Sequence, residues 1–567
     1  MNSSPVGPIA RMNRQYASRY HWLASAIAFA GAAILLHWWR LDRPLWVDEE
    51  MIALNARWRA FGDLAGALWL DQTAPLGWLG LERLALLTFG FSERTARALP
   101  VLFGLGTLAV AVWVGRRWMT PLGAAILAAL CAIGPWVVFF TLELKQYSAD
   151  MCWALLLPAL AAWAVEADGC DRVLRRTTVW WIVAAAGSWF ANGATFVAPV
   201  CAAVIVGRTW QQYGVREAAR ATVPGIVWLI SFGAHYTLTL RHALGNDYLQ
   251  NYWSFAFPPV SEGVLETLRW ARHWFESFAV KPVGTSWWVT FWAAVIVGFA
   301  YATVRYGPLG VVFAAVPVCA LALGIFQIVP PFERLGLWCV PALYVGLALC
   351  GDAAYWLAFE SRWRPSPLRV ASALGAILAT GIVSFDIARN GKNDLDAKGA
   401  DNNYQLDDRS AVRRVLGLRQ PADPVLTTHF GLAGLWWYSG TNISGAHRGG
   451  YLDDSPIFEI WHETRRELCA RHRADMNAVF QLTGRAIVYL GFRMNVLPPG
   501  FDKLVLEELS RRGAVIGYRR YAELSHVAAF DFRQPPNADA GQFFIDSGTA
   551  TVPSLSGCVA IRPARRW

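Results

Sequence analysis

Charge is what this sequence has least of. Only 16% of its 567 residues are Asp, Glu, Lys or Arg, against 55% that are hydrophobic, and the mean hydropathy is +0.31. So few charges cannot solvate the near-continuous apolar runs of a chain this long, which excludes an ordinary soluble protein and leaves the membrane class. Among nine cysteines there is no Cys-x-x-Cys, so neither a structural zinc nor a dithiol redox motif is supported. No internal repeat of fixed period is present, which excludes repeat architectures. The net charge is nevertheless +10. The arginines are not gathered on one soluble segment, as a nucleic-acid partner would require. They recur in short groups between apolar runs, the bias of cytoplasmic loops.

The first apolar run, 21–39, follows Arg11, Arg14 and Arg19. It is long enough to span a bilayer, and no small-residue cleavage site precedes L-D-R-P-L-W, so it is read as a membrane helix and not a signal peptide. The N-terminus is then cytoplasmic. An external loop, 40–96, carries two amphipathic pieces, 49–70 and 75–91, the second containing Glu82 and Arg83 and read as a helix at the interface. Further spans are expected near 97–115, 121–140, 151–166, 178–191, 194–207, 223–240, 287–304, 309–327, 336–358 and 370–387. The total is about eleven, with Lys/Arg-rich turns such as Arg116-Arg117 and Arg172 to Arg176 on the cytoplasmic side.

Beyond Ile387 charged residues become frequent and apolar runs shrink to strand length. Strands are expected at 423–428, 485–490, 515–521 and 527–532, with helices at 457–471 and 503–512. The expected fold class is thus a polytopic α-helical membrane protein, residues 1–387, with a C-terminal extracytoplasmic soluble α/β domain, residues 388–567, entered through a polar linker, 390–408. Seven cysteines fall in or beside spans or inner loops and read as small buried hydrophobes. Cys469 and Cys558 both lie in the external domain, where an oxidising compartment lets them pair.

Polar groups on the outer face carry the candidate chemistry. Asp48, Glu49 and Glu50 directly follow the first span, where unpaired charge is costly. The turn Asp71-Gln-Thr-Ala-Pro-Leu76, the segment Glu143-Leu-Lys145-Gln-Tyr147-Ser-Ala-Asp150 and the pair Glu333-Arg334 after Pro330-Pro331 fall on the same face. Singly, each reads as a solvated loop. Gathered on one face, they read as a site.

The order of these features resembles the GT-C glycosyltransferase superfamily: span, external W-V-D-E, an interfacial helix opening with A-P-L, a Ser92-Glu-Arg-Thr-Ala-Arg-Ala-Leu-Pro100 entry to the next span, and an external K-Q-Y-S-A-D. Within it the chain is similar to the bacterial family 39-like branch that includes aminoarabinose transferases of lipid A and relatives of protein O-mannosyltransferases. The likeness covers the chain up to about Ile387. Where the branch often has His-Pro-Pro-Leu, this chain has Thr73-Ala-Pro-Leu76, so a ligand from that His is missing. The resemblance implies a membrane glycosyltransferase of the bacterial inner membrane. It would use a polyprenyl-phosphate sugar donor, flipped outward, and a lipid, glycan or protein acceptor of the cell envelope.

Transfer from a phosphate-linked sugar needs a base for the acceptor hydroxyl and cations for the departing phosphate. Asp48 is the expected base, as the first carboxylate after the span. Glu49 assists it or, with Asp48, holds a divalent cation, and oxygen ligands favour magnesium, manganese or calcium over zinc. Arg334 is the expected phosphate ligand and Lys145 the second, with Tyr147 nearby and Asp71 and Asp150 lining the site. The rival readings are a multi-span transporter or flippase of envelope precursors, which would need its polar residues at mid-span, and a scaffold whose external domain binds envelope partners.

Overall fold

The computed structural model describes residues 22–360, 367–400, 406–441, 450–491, 497–521, 525–538 and 555–564. Arg11, Arg14 and Arg19 and part of the 390–408 linker lie outside them. The chain divides into two compact units, Met1–Leu41 with Phe61–Asp396, and Asp42–Ala60 with Ala397–Trp567. The segment carrying Asp48 thus belongs to the unit built by the C-terminal residues.

The first unit is helical. Among the described residues nine helices are long and apolar enough to cross a membrane. In chain order, α1 (Trp22–Arg40) is followed by α2 (Val47–Trp58) of the other unit, then by α3 (Leu76–Phe89) and α4 (Ala98–Trp118). At 14 residues, α3 is too short to span, in keeping with an interfacial helix. Next come α5 (Pro121–Ile133) and α6 (Pro135–Thr141), bent by 50° at Gly134, where Pro135 supplies no N–H to continue α5. They lead to α7 (Tyr147–Val165), α8 (Cys170–Gly187) and α9 (Asn192–Tyr213).

Packing shows that the bent pair and α8 traverse the unit as well. Gly115 and Gly104 of α4 lie against Ala124 and Thr141, so α5 and α6 run antiparallel along α4. Cys152 at the start of α7 meets Gly106, while Glu166 just past its end accepts from Arg117 Nη2 at 3.0 Å and from the Trp118 indole. So α7 runs parallel to α4. Then α8 returns along α7: Arg176 Nη1 donates to Trp163 O at 2.8 Å, Trp180 Nε1 to Leu157 O at 3.0 Å, and Gly187 lies against Trp153. Its first turns hold Asp171, Arg172, Arg175 and Arg176, which is why composition alone misses it. Among the described residues the candidate spans number nine, or ten with the bent pair counted as one, beside the expected total of about eleven. The unit has two ends, one marked by Arg117, Glu166 and Arg176, the other by Thr141, Asp150 and Gly193.

The remaining spans pack closely. In α10 (Trp288–Tyr306), Gly298 abuts Gly346 O of α11 (Val340–Tyr355), the small-on-small contact that lets membrane helices approach.

The second unit is a three-layer α/β fold. Its six strands are β1 (Val425–Thr427), β2 (Ile457–Glu463), β3 (Arg485–Leu490), β4 (Ala514–Arg520), β5 (His526–Asp531) and β6 (Cys558–Pro563), in the order β4-β5-β3-β1-β2-β6. The strands β3, β1 and β2 are parallel and the outer pairs antiparallel. Alternation along β3 sorts the core: Ala486, Val488 and Leu490 face α14 (Arg466–Thr483) and α15 (Phe501–Ser510). Ile487 and Tyr489 face α12 (Asp408–Leu418) and α13 (Gly431–Ser439). The segment from Ile457, expected as a helix, is instead β2. Ile457, Ile460 and Trp461 have helical spacing, but pairing with β1 and β6 prevails, and the helix starts only at Arg466. The strand β6 went unanticipated. Cys469 of α14 and Cys558 of β6 form a disulfide with Cα atoms 5.8 Å apart.

Candidate functional site

Four of the sequence-chosen residues of the first unit come together at its Asp150 end. Lys145 is buried, and its Nζ donates to Gln72 Oε1 at 2.6 Å, tying the K-Q-Y-S-A-D segment to the D-Q-T-A-P-L turn. In that turn Leu70 and Asp71 both have positive φ, 60° and 53°, a conformation that costs energy in non-glycine residues and is kept only where surroundings enforce it. Asp71 Oδ1 accepts from Asn246 Nδ2 at 2.9 Å, and Asn246 caps the helix Asp247–Trp253 through Leu249 N. That helix is roughly 10 Å long. At its far end the Arg334 guanidinium lies 5.4 Å from the centre of the Trp253 ring, a cation–π contact.

Arg334 precedes α11, whose direction fixes the level of the guanidinium. Trp338 lies against Gly193, Tyr344 faces Gly134, and Asp352 accepts from Thr120 N near the opposite end. Lys145, Asp71 and Arg334 therefore share one end. A cavity of about 420 Å³ is lined among others by Lys281, Pro331, Phe332 and Glu333. Tyr147 opens α7 with its ring edge-on to Phe140, centroids 4.9 Å apart. Asp150 is buried and accepts from Gly193 N at 2.8 Å. It thus caps α9 across the bundle, not the helix it sits on.

In the second unit α2 presents its three carboxylates differently. Nine residues of this helix are buried, Glu49 and Glu50 completely, and Asp48 alone of the triplet retains partial exposure. Glu49 Oε2 accepts from Trp46 N at 2.8 Å, the reach-back of an N3 glutamate that closes the first turn. Glu50 lies within electrostatic range of Tyr489, whose phenol also faces Asp408 and Tyr438.

The residues present do not fit a divalent cation held by Asp48 and Glu49. Glu49 is engaged in the helix cap, Asp71 is held by Asn246, and among the described residues no cluster of three His, Cys, Asp or Glu side chains is close enough to bind an ion. No step below is routed through a metal.

Sequence reasoning left Gln72 and Asn246 without roles; only their side-chain pairing reveals them. It also passed over Glu82 of α3. Glu82 is completely buried, neither carboxylate oxygen has a hydrogen-bond partner among the described residues, and burial holds its carboxyl well above the usual range. Trp78, on the same helix face, is buried as fully.

These features define a polytopic α-helical membrane protein with a C-terminal α/β domain. No protein-family model matches the sequence, and no curated protein is similar to it by sequence. Among solved structures it is similar to ArnT from Cupriavidus metallidurans in the apo state, with a TM-score of 0.53 and 11% identity over 91% of this chain and 100% of that one. The same ArnT bound to undecaprenyl phosphate matches at a TM-score of 0.49, with 14% identity over 88% and 97% of the two chains. The archaeal oligosaccharyltransferase AglB from Archaeoglobus fulgidus matches at 0.47, with 11% identity over 83% and 69%.

Proposed function

We propose that this protein is a membrane glycosyltransferase of the bacterial inner membrane. It moves a sugar from a polyprenyl-phosphate donor to a cell-envelope acceptor on the extracytoplasmic side. The observation that carries this reading is the gathering of Asp71, Lys145 and Arg334 at one end of a GT-C-fold unit through Gln72, Asn246 and Trp253. A transported solute would instead need its polar groups at mid-span.

The chemistry assigns each group a task. Arg334 forks onto the donor phosphate oxygens and the Lys145 ammonium adds a second positive charge, so both stabilise the negative charge that builds on the leaving phosphate. Asp48, the partly exposed carboxylate of its triplet, takes the proton of the acceptor hydroxyl. The acceptor oxygen bonds to the anomeric carbon as the bond from that carbon to phosphate breaks, releasing polyprenyl phosphate. Tyr147 donates a hydrogen bond nearby. Asp71 and Asp150 keep the surrounding turns in shape.

Asp48→Asn is expected to abolish one envelope glycan, at least a hundredfold by mass spectrometry of glycolipids and glycoproteins, at unchanged protein level. Arg334→Ala is expected to raise the donor concentration needed for half the maximal rate. Unchanged glycan in the first variant, or an unchanged donor requirement in the second, removes the role given to that residue.

A further inference from the structure

The helix that carries Asp48 is held from the far end of the sequence. Four separate contacts reach it. Arg409 Nη1 pairs with Asp42 at 3.0 Å and its Nη2 donates to Asp42 O at 2.8 Å. Leu45 N, just before α2, donates to Tyr438 Oη at 2.8 Å. Arg57 Nη1, in the last turn of α2, donates to Trp437 O at 3.1 Å, with its guanidinium 5.2 Å from the Trp437 ring centre. Between these, Glu50 is fully buried. Asp408 accepts from Ser525 Oγ at 3.0 Å and fills the space beside Gly434 of α13.

The geometry is that of a clamp. Both ends of α2 are tied to α13, through Tyr438 and Trp437. A helix of twelve residues has little stability of its own. Its orientation must therefore come from what it packs on. The three carboxylates follow one another, so a rotation of α2 by one residue, about 100°, would exchange Asp48 for a neighbour.

We infer that Tyr438 is a positioning residue of the reaction: it fixes the rotation and tilt of α2 and thereby presents Asp48, not Glu49 or Glu50, to the acceptor. This rests on Asp48 being the base. The C-terminal unit is then a working part of the catalytic apparatus and not only a cover or an acceptor-binding module. The Tyr438 phenol contributes a single oxygen to the contact with Leu45 N, so Tyr438→Phe removes that contact and keeps the shape.

The test uses the full-length protein in detergent-lipid micelles. Hydrogen–deuterium exchange is read over 45–58, with β3 and β5 as internal references, and transfer rate is measured with the total lipid extract of the host membranes as the donor pool. In Tyr438→Phe, exchange over 45–58 is expected to rise at least fivefold with the two strands unchanged. The saturated rate is expected to fall at least tenfold, and the amount of extract giving half that rate to stay the same, because the groups assigned to donor phosphate are untouched. Exchange unchanged over 45–58, exchange rising equally across β3 and β5, or an undiminished rate overturns the inference. Asp48→Asn separates it from the reading it rests on. That variant keeps wild-type exchange and loses the rate; if it keeps the rate, the base assignment fails while exchange in Tyr438→Phe still decides whether the clamp exists.

Discussion

Two buried carboxyls in this molecule carry opposite lessons. Asp408 has a partner, Ser525, yet burial pushes its pKa up to about 7 from its ordinary range near 3.9. The folded domain therefore prefers the neutral acid, whereas the unfolded chain ionises from about pH 4. The stability this preference gives is full below about pH 4 and is lost as pH rises through about 7. Asp408→Asn, which is neutral at every pH, is expected to flatten the fall in the domain's melting temperature between pH 4 and 7, read by calorimetry; a wild-type slope in that variant would remove the assignment. Glu82 has no such partner among the described residues. An isolated buried acid costs more than an apolar side chain of its size. Glu82→Leu is therefore expected to leave stability unchanged or raise it by an amount on the order of 1 kcal/mol, read as an unchanged or higher melting temperature, and a marked drop would show that the carboxyl has a task.

Elements built from local signals were legible in the sequence. The strands β1, β3, β4 and β5 follow apolar runs of β-branched and aromatic residues, and α4 begins where Ser92 caps the turn before it, its Oγ accepting from Thr95 N at 3.2 Å. Asp71, Lys145 and Arg334, which charge bias along the sequence grouped on one face, do lie at one end of the helical unit. What stayed hidden depends on distant partners. The helical spacing in β2 yields to ladders on both sides, and residues 42–60 join a domain that begins more than 300 residues later, with no pattern of their own to announce it. Helix contacts are equally silent in sequence. Gly298 and Gly375 look alike in their apolar runs, but a Cβ at 298 would sit 1.9 Å from Gly346 O whereas one at 375 would meet nothing. Gly298→Val is thus expected to force α10 and α11 apart, costing several kcal/mol and most of the monodisperse purified protein, while Gly375→Val purifies as wild type. Equal yields by size-exclusion chromatography would contradict the tight crossing.

Across the whole molecule, parity links the membrane helices to the soluble domain. Residues 42–60 and 397–567 form one compact unit, so the chain must leave the membrane on the same side after α1 and after its last span. The crossings between them must be even in number. Eight of the nine apolar helices lie there. Adding only the bent α5–α6 pair would make the number odd, so that pair and α8 must both cross or both not cross. Their antiparallel runs along α4 and α7 decide for crossing. On the positive-inside bias the Arg117 end is expected in the cytoplasm and the Asp150 end outside. Single cysteines placed at Asp168, Glu262 and Asp475, all exposed, test this with a membrane-impermeant maleimide on intact spheroplasts. Glu262→Cys and Asp475→Cys are expected to label before lysis and Asp168→Cys only after it. Labelling of Glu262→Cys and Asp475→Cys from opposite sides would break the parity, and with it the proposal that the domain carrying Asp48 works outside the cytoplasm.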